Sequence, residues 1–98
     1  MSATVTILYP AVSFDLKYYL SSHMPLVQKT WATKGLKSWQ VTELDATSGY
    51  CIQCFMEWES VEAFAKAAAE DGPLIMGDVK NYTEGTAAIH VGKVVGSG

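Results

Sequence analysis

The stretch from Leu36 to Trp58 reads LKSWQVTELDATSGYCIQCFMEW, and its alternation decides the fold. Residues two apart in a strand share a face. Leu36 to Leu44 therefore reads as a strand with Trp39 and Val41 on one face and Ser38, Gln40 and Thr42 on the other. Asp45-Ala46-Thr47-Ser48-Gly49 is a run of residues that tolerate turn geometry. Tyr50 to Trp58 is the returning strand, with Tyr50, Ile52, Cys54, Met56 and Trp58 on one face and Cys51, Gln53, Phe55 and Glu57 on the other. So short a connection makes the two strands an antiparallel hairpin.

Working outward, Ser60 is placed to cap a helix, with Glu62 in its first turn, where the helix dipole favours negative charge. Val61, Phe64, Ala65 and Ala68 form the expected apolar stripe, and Asp71-Gly72-Pro73 is the expected end. A further short helical turn is expected over Leu74 to Val79, and a last strand over Thr86 to Val95. Before the hairpin, Ser13 to about Trp31 reads as a helix capped by Ser13 or Asp15 and followed by Gly35. Pro25 lacks a helical donor and crowds the carbonyl of Ser21, so a kink or break is expected near His23-Met24-Pro25. Thr4 to Tyr9, TVTILY, is β-branched and ends at Pro10, which marks a first strand with Val5, Ile7 and Tyr9 on one face. The order is β-α-β-β-α-β, an α+β, ferredoxin-like arrangement: an antiparallel four-stranded sheet with two main helices on one face. Residues 1–98 read as a single domain, with Gly96-Ser97-Gly98 a frayed tail.

Composition says what such a domain needs. Hydrophobic residues make up 49% of the 98-residue chain and charged residues 17%. A small two-layer domain cannot hide that much apolar surface alone. Strand three carries Phe55 and Cys51 on the face away from the helices, whereas an open antiparallel sheet normally turns polar residues to water. Two sheets packed face to face would bury both, so a homodimer is expected, together with a small hydrophobic ligand. Seven Lys and Arg against ten Asp and Glu give a net charge of −3 without a basic cluster, which argues against nucleic acid as a partner. No apolar run is long enough to span a membrane, and the N-terminus lacks the pattern of a signal peptide, so the expected location is cytoplasmic.

The candidate chemistry lies in the first helix. Asp15, Tyr19 and His23 are spaced i, i+4, i+8 and fall on one helical stripe. Histidine exchanges a proton near neutral pH, and a tyrosine hydroxyl can hold a carbonyl or orient the ring. The plainer reading makes Asp15 a cap, Tyr19 a packing residue and His23 a partner for broken backbone. His90 sits in the last strand opposite Ile89 and Val91 and is a candidate for the ligand pocket or the dimer interface. Trp31, Trp39, Trp58, Tyr9, Tyr18, Tyr50 and Tyr82 are core or pocket candidates, with Tyr9 and Trp39 singled out for ligand contact. Cys51 and Cys54 are spaced C-x-x-C, but in a strand that spacing puts them on opposite faces. With two separated histidines, no metal site is expected. There is no Gly-rich phosphate loop, and a chain this short has little room for haem, so no cofactor is expected.

The string Phe14-Asp15-x-x-x-Tyr19-x-x-x-His23-Met24-Pro25-Leu26 resembles the signature of the EthD family, named for ethyl tert-butyl ether degradation. Val5 to Pro10, Trp58 to Phe64 and Asn81-Tyr82-Thr83 resemble it as well, in the same order along nearly the whole chain. The family is similar in fold to the dimeric α/β-barrel superfamily, in which two ferredoxin-like sheets close into one barrel. Its relatives include lactone isomerases, polyketide cyclases, metal- and flavin-free monooxygenases and haem enzymes. The resemblance implies a cofactor-independent oxidoreductase, isomerase or cyclase acting on a small cyclic or aromatic compound in a catabolic or oxidative pathway, with His23 as the proton-transfer residue. The alternative is a non-catalytic carrier of a hydrophobic intermediate or an accessory to a partner oxygenase.

Overall fold

The computed structural model describes residues 2–98. Four strands, β1 (Ala3–Pro10), β2 (Leu36–Glu43), β3 (Tyr50–Trp58) and β4 (Ala88–Lys93), form one sheet in the order β2-β3-β1-β4, every pair antiparallel. The helical layer comprises α1 (Leu16–Tyr18), a π-helical turn (Tyr19–His23), α2 (Met24–Trp31) and α3 (Val61–Met76). The element order is the ferredoxin-like one.

Register fixes which side chains meet the helices. Val5 lies opposite Met56, Ile7 opposite Cys54 and Tyr9 opposite Ile52, while Trp39 faces Met56 and Val41 faces Cys54 on the other side of β3. Residues directly opposite share a face, so the alternation of β1, β2 and β3 converges on one apolar surface. Trp58, on that surface, is fully buried, and the rings of Trp31 and Phe64 meet it edge-on at 5.4 Å and 5.1 Å. Burial of a side chain of this size contributes about 3 kcal/mol or more. Asp71 ties the helices together by accepting from the Trp31 indole at 3.1 Å and the Lys34 ammonium at 2.6 Å. Gly35 turns the chain from α2 into β2 at φ +116°, where a side chain would be strained and a Cβ would also press on Ala63.

Four expectations are revised. Near His23-Met24-Pro25 the helix does lose regular α geometry, as a π-turn, and resumes through Leu26 and Val27, but it does not break: α1, the π-turn and α2 run on from one another without a gap. The Met24 N–H bonds back to the Tyr19 carbonyl, so the extra residue is absorbed just before the proline. Pro25 then stands in the first turn of α2, where its missing donor disrupts least. Pro73 does not end α3 either, and Leu74 belongs to that helix. The residue before it, Gly72, has no Cβ to clash with the proline ring, which relieves the usual bar to helix at that position. The α3 stripe includes Ala67, buried, while Ala65 is exposed. The last strand is shorter than Thr86 to Val95, closing at Lys93.

Candidate functional site

Between the sheet and the helical layer lies a cavity of about 300 Å³. The π-turn places Tyr19 and His23 on its wall, 1% and 3% exposed, with their rings stacked at 5.2 Å and 16°. A π-turn inside a helix often marks a functional site, because it redirects side chains that a regular helix would aim elsewhere. Here the turn ends on His23.

The imidazole has a carboxylate partner. Nδ1 lies 2.9 Å from Asp78 Oδ2, in the turn that follows α3. Asp78 Oδ1 accepts from the Tyr18 hydroxyl at 2.6 Å and from the Asn81 amide at 2.9 Å. Partial burial alone would raise the Asp78 pKa, but its bonds from Tyr18, Asn81 and His23 together hold it below the usual carboxylate value. An ionised carboxylate only accepts, so the Nδ1 nitrogen carries the proton and Nε2 is left with a free electron pair. Burial lowers the His23 pKa and Asp78 only partly restores it, so the ring is a neutral base near pH 7.

Nε2 faces two tyrosines. The Tyr82 hydroxyl stands 3.5 Å from it, and the Tyr9 hydroxyl is 2.9 Å from that of Tyr82. Burial raises the pKa of Tyr82, Tyr19 and Tyr9, so all three keep their protons. Tyr9 and Tyr82 share one hydrogen bond, which uses one of their two hydroxyl protons. The other, on Tyr82, points to Nε2 at 3.5 Å, a long bond that an oxygen in the cavity can replace. The Cys54 thiol also lines the wall, and burial raises its pKa, which keeps it protonated.

Of the residues singled out by sequence, His23, Tyr19 and Tyr9 are brought together. Asp15 is not with them: it is exposed and caps α1 by accepting the Tyr18 N–H at 3.0 Å. The carboxylate at His23 is Asp78 instead, 55 positions away along the chain. Trp39 lies outside the cavity wall and donates its indole N–H to Gln28 at 2.8 Å. His90 pairs with Thr6 on the open face of the sheet and is exposed, while its neighbour Ile89 lines the cavity. Cys54 is buried on the helix-facing side and Cys51 lies on the other, both as free thiols. Among the described residues, no three His, Cys, Asp or Glu side chains gather as a metal site would require.

The fold and this cavity define a ferredoxin-like α+β protein with a buried site between sheet and helices. No family model and no curated protein matches the sequence. Solved structures do. An EthD-like protein from Ralstonia eutropha JMP134 superposes with a TM-score of 0.83 at 26% identity, covering 96% of this chain and 92% of its own. SnoaB, a cofactor-independent oxygenase from Streptomyces nogalater, has a TM-score of 0.71 at 12% identity, with 98% and 95% covered. A dimeric ferredoxin-like protein from an uncultured marine organism has a TM-score of 0.66 at 16% identity, with 99% and 97% covered. The resemblance read from the first helix is borne out: the chain is EthD-like in structure along nearly its whole length.

Proposed function

We propose that this chain binds a small hydrophobic molecule in the cavity and that His23 removes a proton from it. The observation that carries the proposal is the pairing of His23 Nδ1 with Asp78 at 2.9 Å, which leaves Nε2 unprotonated at an apolar cavity, with only the long contact to Tyr82 to displace. A base near neutral pH in such a position can take a proton from a carbon beside a carbonyl or from a weakly acidic hydroxyl. For a ketone the step is balanced: the C–H bond breaks, an N–H bond forms at Nε2, and the electron pair moves to the carbonyl oxygen. The Tyr82 hydroxyl, itself accepting from Tyr9, is placed to donate to that oxygen. Asp78 holds the ring in the required tautomer and stabilises the imidazolium. Tyr19 packs against the ring and fixes its plane. The fold likeness to a cofactor-independent oxygenase supports chemistry carried by side chains and substrate.

The reading includes a cytoplasmic homodimer joined through the open face of the sheet. Phe55, on that face, is 37% exposed in the single chain, and one structural neighbour is a dimeric ferredoxin-like protein.

The test needs no knowledge of the natural substrate. With 2-tetralone in deuterated buffer, the wild type should speed exchange of the protons beside the carbonyl, read by NMR. His23→Asn should fold, melt within a few degrees of the wild type, and lose about 10²- to 10⁴-fold of the acceleration. Equal exchange by a folded His23→Asn would remove the proton-transfer role and leave the cavity as a binding site.

A further inference from the structure

The cavity has two unlike ends. His23, Val27 and Trp31 follow one another at four-residue intervals along its helical wall. At 1.5 Å per residue that wall runs about 12 Å from the imidazole to the indole. The polar groups gather at the His23 end, where the Tyr9 and Tyr82 hydroxyls stand within bonding distance of each other. At the other end are the rings of Trp31 and Phe64, 6.0 Å apart. Between the ends, α3 offers Ala68 and Gly72 to the cavity, and a Cβ at Gly72 would meet no heavy atom within 4 Å. Among the described residues, no Lys, Arg, Asp or Glu lines the wall. Asp78 is the charged group bonded to the site, and it stands behind His23.

These features select a ligand by charge and by length. An anion seated here would lose its water, gain no cation and face the Asp78 carboxylate through the imidazole. A neutral molecule with a flat apolar body loses little on entry and gains the aromatic end. A single hydroxyl or carbonyl would find the donors and the base at the other end. Resting on the proton-transfer reading above, we infer that the cavity takes an uncharged, two-ring-sized molecule with one hydroxyl or carbonyl at Tyr82 and His23, its far ring lying against Trp31 and Phe64, and that Ala68 sets the length admitted.

The probes are 2-naphthol, its charged counterpart 2-naphthoate, and the single-ring phenol, with binding read by calorimetry and by quenching of tryptophan fluorescence. The wild type should bind 2-naphthol at least tenfold more tightly than 2-naphthoate. Ala68→Phe should weaken 2-naphthol at least tenfold and leave phenol within a factor of about two. Ala65→Phe, on the exposed side of the same helix, should change neither. Thermal melts confirm that each variant is folded. Failure of 2-naphthol to bind, equal binding of 2-naphthoate, or full 2-naphthol binding by folded Ala68→Phe would overturn the inference. The His23→Asn variant separates this from the catalytic reading. Retained preference for 2-naphthol with no 2-tetralone exchange by the wild type leaves the ligand class standing and the base role lost. Exchange that depends on His23 with no preference for the neutral probe does the reverse.

Discussion

Two environments pull the proton affinity of His23 in opposite directions. Burial disfavours the imidazolium and is the larger influence; Asp78 favours it and falls short. The folded-state pKa is therefore below the ordinary histidine value of about 6.5. As pH falls through that value the unfolded chain takes up a proton that the folded chain does not, so folding stability drops. Asp78 acts in a lower window. Its pKa is held below 3.8, so its contribution is full above that value and is lost as pH falls through the folded one. Urea denaturation should thus show a lower midpoint at about pH 5.5 than at about pH 7.5, and His23→Asn should flatten that difference; an unchanged difference would place its origin elsewhere. His23 and Tyr19 were legible in the sequence because four-residue spacing on a helix is a local property. Asp78 was not, because a turn that follows α3 supplies it and only the fold brings it to Nδ1. Asn81-Tyr82-Thr83 stood out as part of a family resemblance, yet nothing local tells that the Tyr82 hydroxyl would reach Nε2 and Tyr9.

Strands and helices differ in how openly they announce themselves. The alternation from Ile52 to Trp58 survives, because Ile52, Cys54, Met56 and Trp58 are each buried under the helices, while Tyr50, beside a shift in register, is only half-buried. The Ser60 cap is also as read, its hydroxyl accepting the Ala63 N–H at 3.0 Å. Both proline signals mislead when read as helix breaks, for separate reasons. At Pro25 the π-turn absorbs the defect, and no residue from Tyr19 to His23 marks such a turn in advance. At Pro73 the relief is the missing Cβ of Gly72, a local feature that reads equally well as a helix stop. The consequence is functional in each case. The π-turn aims Tyr19 and His23 inward, and the added turn of α3 carries Ile75 and Met76 onto the cavity wall and delivers the chain to Asp78.

At the scale of the molecule, one sheet face is spent on the cavity and the other is open, the face through which the proposed homodimer would join. The open face is mixed, with Thr4, Thr6 and Gln53 around Leu8 and Phe55. Light scattering at micromolar concentration should give twice the chain mass, and a clean monomer would exclude the paired-sheet arrangement. Among the described residues, no helix is long and apolar enough to cross a membrane. The proposed chemistry depends on the state of one ring: a neutral His23 with its proton on Nδ1, held by Asp78, and an unprotonated Nε2 facing the cavity. Nitrogen-15 NMR of histidine-labelled protein at about pH 7.5 reads that state directly, with His90→Asn used to assign the two rings. The prediction is one protonated nitrogen on His23, at Nδ1, with Nε2 showing the shift of an unprotonated nitrogen. A proton found on Nε2, or a doubly protonated ring at that pH, would contradict it.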